Sequence, residues 1–223
     1  MMQPIKAVIF DFGGVLTQAP GPEHWNDIVA AIGWKNGHPR LADLMAGYQA
    51  HRGGFDRGEL SAGAYWTAIL EQLGTPAETA LLTRLFELDT AAWTRSRGEV
   101  LQWASRLRAA GLRTGILSNM PAEVLQMVEE RMDWVADFHP RVFSCRLGLI
   151  KPEAEIYRAL LAELAVPPPG VLFLDDREEN VLAARELGLQ AERFESLEQI
   201  LPIARERYAL PGPESAERAS KGA

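Results

Sequence analysis

The chain opens on a short apolar run, Ile5-Lys6-Ala7-Val8-Ile9-Phe10, which stops at Asp11 and the pair Gly13-Gly14. A β-rich run bounded by turn residues predicts a buried strand ending in a sharp loop. From Pro20 to about Thr94 apolar positions recur three and four residues apart. They predict helices over 24–33, 40–50, 62–72 and 77–88, with no strand among them. After Gly98 the two periods alternate: helix 98–110, strand 113–117, helix 121–131, a short strand near 142–144, helix 153–165, strand 171–174, helix 178–187, strand 189–194 and helix 197–207. Strands alternating with helices predict a parallel sheet covered on both faces.

The predicted fold class is therefore α/β, a Rossmann-like doubly wound parallel sheet core with an inserted helical cap. Residues 1–16 and 97–210 form the core, residues 17–96 the cap, and 211–223, rich in Pro, Gly, Ser and charge, a mobile tail. Insertions of this kind commonly form lids, with hinges expected near Leu16–Pro22 and Arg95–Gly98. Ligands of open parallel sheets bind beyond the carboxyl ends of the strands, so the residues just after each strand carry the information.

Composition narrows the function classes. At 223 residues, 47% hydrophobic and 24% charged, the chain has the makeup of one sizeable globular unit. A net charge of -7 and a pI near 5.2 argue against a nucleic-acid partner. No apolar stretch is long enough to span a membrane, and the first is too short for a secretory signal, so the expectation is a soluble, cytoplasmic protein. Cys145 is the only cysteine, which excludes an internal disulfide and a Cys-rich zinc site, and the four histidines are too scattered for a His-based metal site.

Four strand ends carry coherent chemistry: Asp11-Phe12-Gly13-Gly14 after the first strand, Ser118-Asn119 after Ile116-Leu117, Lys151-Pro152 before a helix, and Asp175-Asp176 after Val171–Leu174. A carboxylate can attack phosphorus or carbon, a hydroxyl and an ammonium can hold an anion, and paired acids can hold a hard cation. Each has an ordinary reading too. Asp11 suits a turn, Ser118-Asn119 a helix cap, Lys151 a solvated surface, and Asp175-Asp176 the positive end of a helix dipole. Their conjunction, in this order and each at the right element, is what points to a site.

These residues resemble the haloacid dehalogenase-like hydrolase superfamily. Val8 to Leu16 looks like its first motif, Leu117-Ser118-Asn119 its second, Lys151-Pro152-Glu153 its third, and Phe173 to Asn180 its acidic fourth. Within the superfamily the chain is most similar to the branch holding sugar-1-phosphate phosphatases, the phosphatase domain of soluble epoxide hydrolase and 2-haloacid dehalogenases. The resemblance implies that Asp11 attacks phosphorus to form an aspartyl-phosphate, while Ser118 and Lys151 bind the phosphoryl oxygens. Mg²⁺ would sit between Asp11, the Gly13 carbonyl and Asp176, with Asp175 assisting. Phe12, Gly13 and Asn119 would shape the substrate site. The implied substrate is a small phosphorylated metabolite, with a sugar phosphate as one candidate. Charge and apolar-run length add the expectation of neither nucleic acid nor membrane as partner, and the chain is expected to be a monomer or homodimer.

The chain departs from the pattern in one important place. Most phosphatases of the superfamily carry a second Asp two residues after the nucleophile, as the acid that protonates the leaving group, and here that position is Gly13. Leaving groups that need little protonation are therefore expected. Asn180 stands where many relatives have another acid. A 2-haloacid dehalogenase, which would use Asp11 without metal, also lacks the second acid, but adjacent Asp175 and Asp176 would repel its carboxylate substrate. Arg40, Arg52 and Arg57 are the cap arginines that could bind such a carboxylate or a phosphosugar. A Schiff-base hydrolase would need Lys35, which lies in no apolar setting, and a binding protein without catalysis has no use for converging carboxylates and a lysine. Tyr48–Trp66 is the expected specificity loop, its glycines turning Arg52 and Phe55 toward the core.

Overall fold

The computed structural model describes residues 3–212. Five parallel strands, β1 (Ala7–Phe10), β2 (Arg113–Ser118), β3 (Arg141–Phe143), β4 (Val171–Asp175) and β5 (Gln190–Arg193), lie in the order β3-β2-β1-β4-β5. β1 is central, and Phe10 registers with Ile116 of β2 and Leu174 of β4. β1 and β4 are buried throughout, as strands covered on both faces are, which is why they read as unbroken apolar runs.

Side chains of β1 alternate between two cores. Val8 and Phe10 join the core covered by α5 (Gly98–Ala109), α6 (Ala122–Arg131) and α10 (Leu197–Tyr208), with Trp103, Val128 and Ile200 fully buried there. Ala7 and Ile9 join the opposite core under α8 (Ala154–Leu164) and α9 (Glu178–Glu186), with Ile156, Tyr157 and Val181. The described part of the tail is Pro211 and Gly212, and the Pro211 carbonyl accepts a 2.8 Å hydrogen bond from Trp103 Nε1. Residues 213–223, to which the expectation of mobility also applied, lie outside the described residues.

Between β1 and α5 the chain builds α1 (Pro22–Ala31), α2 (Leu41–Asp56), α3 (Ala62–Gln72) and α4 (Thr79–Trp93), which share an aromatic-rich apolar cluster centred on Tyr48, Tyr65, Trp66 and Leu85. Thr17 and Ser96 form an isolated antiparallel bridge where the chain leaves and re-enters the sheet layer. Polar contacts link the helices to the sheet layer: Arg57 pairs with Glu153, and the Ala62 amide, at the start of α3, donates to Glu123 Oε1 at 2.8 Å. The Asp56 carbonyl accepts from the Ser144 hydroxyl, on the short helix α7 (Ser144–Leu147).

Two helices overrun their expected ends, and one overrun changes the reading of the site. The predicted loop around Gly53-Gly54 is helical, since α2 continues to Asp56 and the turn falls at Gly58, where φ is +78°. Isolated glycines weaken a helix but are tolerated when its apolar face is buried, and here Tyr48 and Phe55 bury it. α4 likewise runs on to Trp93.

The ring of Trp103 meets Phe10 edge-on at 5.9 Å, so this contact ties α5 to the central strand. Trp103→Ala is expected to cost about 3–5 kcal/mol. Urea unfolding should show a lower midpoint at an unchanged slope.

Candidate active site

Each strand end delivers its residue to one place. The Asp11 amide donates to the Leu174 carbonyl at 2.8 Å, carrying the β1–β4 pairing one residue past the strand, and the Asp11 carboxylate accepts from the Phe12 amide at 2.7 Å. The following loop folds back tightly because Gly14 adopts φ +79°, a conformation open to glycine. Gly14 has a second reason to be bare: a Cβ there would lie 2.6 Å from Asp176 Oδ2. Phe12 is buried and stacks on Trp134 at 5.7 Å.

Lys151 is the hub. Its side chain is almost wholly buried, and Nζ reaches Asp11 Oδ1 at 2.8 Å, Asp175 Oδ2 at 2.7 Å and the Leu117 carbonyl at 3.0 Å. Burial disfavours the ammonium, but Asp11 and Asp175 together outweigh it, and its pKa lies above the usual 10.5. Asn119 sets the loop in place: its amide nitrogen donates to the Lys151 carbonyl at 3.0 Å and its oxygen accepts from the Lys151 amide at 2.8 Å. Ser118, at the end of β2, is 2% exposed and lines the same cavity.

Asp175 and Asp176 are dissimilar neighbours. Both oxygens of Asp175 are engaged, Oδ2 by Lys151 and Oδ1 by the Arg177 amide and the Asn180 side chain, each at 2.9 Å. Asn180 is thus a donor to this carboxylate, a role an acid at that position could not fill while ionised. Asp176 lines the cavity, and oxygens of Asp11, Asp175 and Asp176 all lie within 4.8 Å of one another. Burial pushes the Asp11 carboxyl up; Lys151 pulls against this, Asp175 and Asp176 add to it, and the result is about 8. Burial and then Asp175 raise Asp176 as well. One ammonium is too little cation for three carboxylates, and an all-oxygen donor set of this kind fits a hard divalent ion such as Mg²⁺.

The opposite wall comes from the helical insertion. The cavity, of about 140 Å³, is lined by Asp11, Phe12, Gly13, Ser118, Asn119, Lys151 and Asp176 below and by Tyr48, Arg52, Asp56, Asp89 and Trp93 above. Arg52 Nε donates to Asp56 Oδ1 at 2.9 Å and Nη1 to the Tyr48 hydroxyl at 2.7 Å, while that hydroxyl donates to Asp89 Oδ1 at 2.8 Å. Among the three cap arginines weighed from sequence, only Arg52 lines this cavity. Arg57 pairs with Glu153, and Arg40 bonds Asp43 and the Leu73 carbonyl.

Phe55 does not line the cavity. It is fully buried, stacked on Tyr65 at 4.4 Å, because one residue round the helix from Asp56 turns it into the apolar cluster. Asp56 and Asp89 escape the sequence reading, and Trp93 stands out from the other rings of the insertion only in the structure. A signal for the first was present, since Tyr48, Arg52 and Asp56 recur every four residues on one helix face. Nothing local marks Asp89. Trp93 explains Gly13: a Cβ on Gly13 would stand 2.9 Å from two carbons of the Trp93 ring, so the indole fills the space a longer side chain would need.

Comparison with known proteins places the chain among relatives of the same fold. The mouse acyl-CoA dehydrogenase family member 10 is 28% identical over 82% of this chain, which spans 17% of that protein's length. The sesquiterpene phosphatase astK of Aspergillus oryzae is 28% identical, over 85% of this chain and 89% of its own. A crystal structure of a HAD family enzyme from Bacteroides thetaiotaomicron, a magnesium complex, superposes with a TM-score of 0.71 at 21% identity, over 92% of this chain and all of that one. Among the described residues no helix is long and apolar enough to cross a membrane. The family model for haloacid dehalogenase-like hydrolases matches residues 5–188, and the chain belongs to that family of hydrolases.

Proposed function

We propose that this hydrolase is a phosphatase that cleaves a small phosphate monoester through an aspartyl-phosphate on Asp11. The observation that carries the reading is the buried Lys151 ammonium bridging Asp11 and Asp175 at the floor of the cavity, beside Asp176. An Asp11 oxygen attacks phosphorus, the bond to the ester oxygen breaks, and that oxygen leaves with a proton from solvent. Water then attacks the phosphorus of the aspartyl-phosphate, releasing inorganic phosphate and returning Asp11. Lys151 and the Ser118 hydroxyl offer donors to the phosphoryl oxygens, and Lys151 also offsets repulsion between Asp11 and the incoming dianion. Asp11 and Asp176, with Asp175 behind them, would hold Mg²⁺, which when bound supplies charge neutralisation for the transferring group.

The names of the relatives support the phosphoryl reading, since one is a phosphatase. A dehalogenase would have to admit a substrate carboxylate beside Asp175 and Asp176 without a neutralising metal, which like-charge repulsion disfavours.

Two outcomes are expected. Wild-type protein with Mg²⁺ should release p-nitrophenol from its phosphate ester, and chelation of the metal should abolish this. Asp11→Asn should lower the rate at least about 10³-fold. Undiminished turnover in that variant or in chelator would overturn the proposal.

Gly13→Asp alone should not gain activity on a primary alkyl phosphate, because Trp93 occupies the space. Gly13→Asp combined with Trp93→Ala should raise alkyl phosphate turnover relative to p-nitrophenyl phosphate, toward the roughly 10²- to 10⁴-fold range of general acid catalysis. A gain from the single substitution would show that Trp93 is no obstacle.

A further inference from the structure

Among the described residues three cations line the cavity, and each already faces carboxylate. Lys151 is taken by Asp11 and Asp175, and Arg177 pairs with Glu179 at 2.6 Å. Arg52, the one cation on the upper wall, meets Asp56 at 2.9 Å and Asp89 at 3.8 Å. Its guanidinium carbon also lies 5.6 Å from the Tyr48 ring centre and 5.7 Å from that of Trp93, so aromatic rings cover it as well.

The remaining wall groups do not restore positive charge. Burial pushes the Tyr48 hydroxyl well above its ordinary range, so Tyr48 stays neutral. His24 approaches Asp89 at 3.5 Å from behind, and its burial holds it below the usual imidazole value, so it too is neutral near pH 7. One guanidinium against two carboxylates leaves this wall with an excess of negative charge. Oδ1 of Asp56 and of Asp89 each accept a hydrogen bond within the wall, and Asp89 Oδ2 stands 3.8 Å from Arg52 Nη1, beyond hydrogen-bond reach, so the two carboxylates keep acceptor capacity. Such a wall offers acceptors to a hydroxyl or ammonium and repulsion to an anion.

We infer that Tyr48, Arg52, Asp56 and Asp89 form a charge filter, so that the group leaving with the ester oxygen carries donors and no second anion. This rests on the phosphatase reading of the same cavity and adds its substrate class: monoesters whose leaving group is neutral or bears an amine, with phosphorylated acids and diphosphates refused. Rejection comes from the wall's excess of carboxylate over guanidinium, in the way specific sites use repulsion as well as attraction. Arg52 is then a positioning residue that holds the two acids in place, and it is masked as an anion receptor.

The test uses three monoesters of nearly equal size: 2-phosphoglycolate, 2-hydroxyethyl phosphate and O-phosphoethanolamine. Each competes against p-nitrophenyl phosphate hydrolysis by the full-length protein with Mg²⁺, and the inhibition constants are compared. Phosphoglycolate is expected to bind at least about tenfold more weakly than the other two. Asp89→Asn, and separately Asp56→Asn, should narrow that gap by releasing Arg52. Equal competition by all three, including none by any, or preference for phosphoglycolate, would overturn the filter. Failure of the wild type to hydrolyse p-nitrophenyl phosphate would instead fault the phosphatase reading, so the two failures are distinguishable. The wild-type series alone decides the charge question if either variant fails to fold.

Discussion

A lysine ammonium with almost no exposure cannot persist without acceptors, and satisfying Lys151 organises this molecule's functional end. The acceptors come from three separate strand ends, at Asp11, Leu117 and Asp175. The lysine therefore ties β1, β2 and β4 together where their carboxyl ends meet. Breaking a buried pair of this kind by removing one partner costs about 3–5 kcal/mol, since the other charges are left stranded. Further details follow from the same constraint. Asn119 pins the Lys151 loop through a reciprocal pair of bonds, and Asn180 supplies Asp175 with a donor that an acid could not.

The helical insertion answers this arrangement with a second, partly buried cation, and the two are handled differently. Lys151 contacts two carboxylates and a third, Asp176, stands in the same cluster, which leaves an excess of negative charge that a divalent ion can offset. Arg52 is instead saturated by neighbours from its own helix and from α4. The lower floor therefore demands cation, while the upper wall adds no pull on anions. Between them stand Gly13 and Trp93, where the loss of a side chain on the sheet and the presence of an indole on the insertion are one steric fact. At Gly13 the space a side chain would need is filled by the insertion's own indole.

Much of the fold was legible in the residue pattern. Strands buried on both faces read as apolar runs, amphipathic helices repeat at their own period, and the structure places these elements within a few residues of their expected ends. The misplacements have causes. α2 passes through Gly53-Gly54 because Tyr48 and Phe55 bury its face, a tertiary gain that outweighs a local weakness.

The lower half of the site was legible too, because its residues follow directly after strands, and parallel topology brings strand ends together whatever the side chains are. The upper half was not. Helical periodicity assigns residues to faces around a helix axis, but it does not say which face meets the cavity. Arg52 and Phe55, three residues apart, look equally eligible in sequence, yet one lines the cavity and the other stacks in the apolar cluster. Asp89 and Trp93 reach the site from a different helix, and their meeting with Arg52 and Gly13 depends on where packing sets α4. Sequence alone determined the elements, their order and the chemistry at the strand ends, since these are local consequences of periodicity and turn residues. Tertiary packing alone decided which insertion side chains face that chemistry and with what charge, because that depends on contacts between segments far apart in the chain.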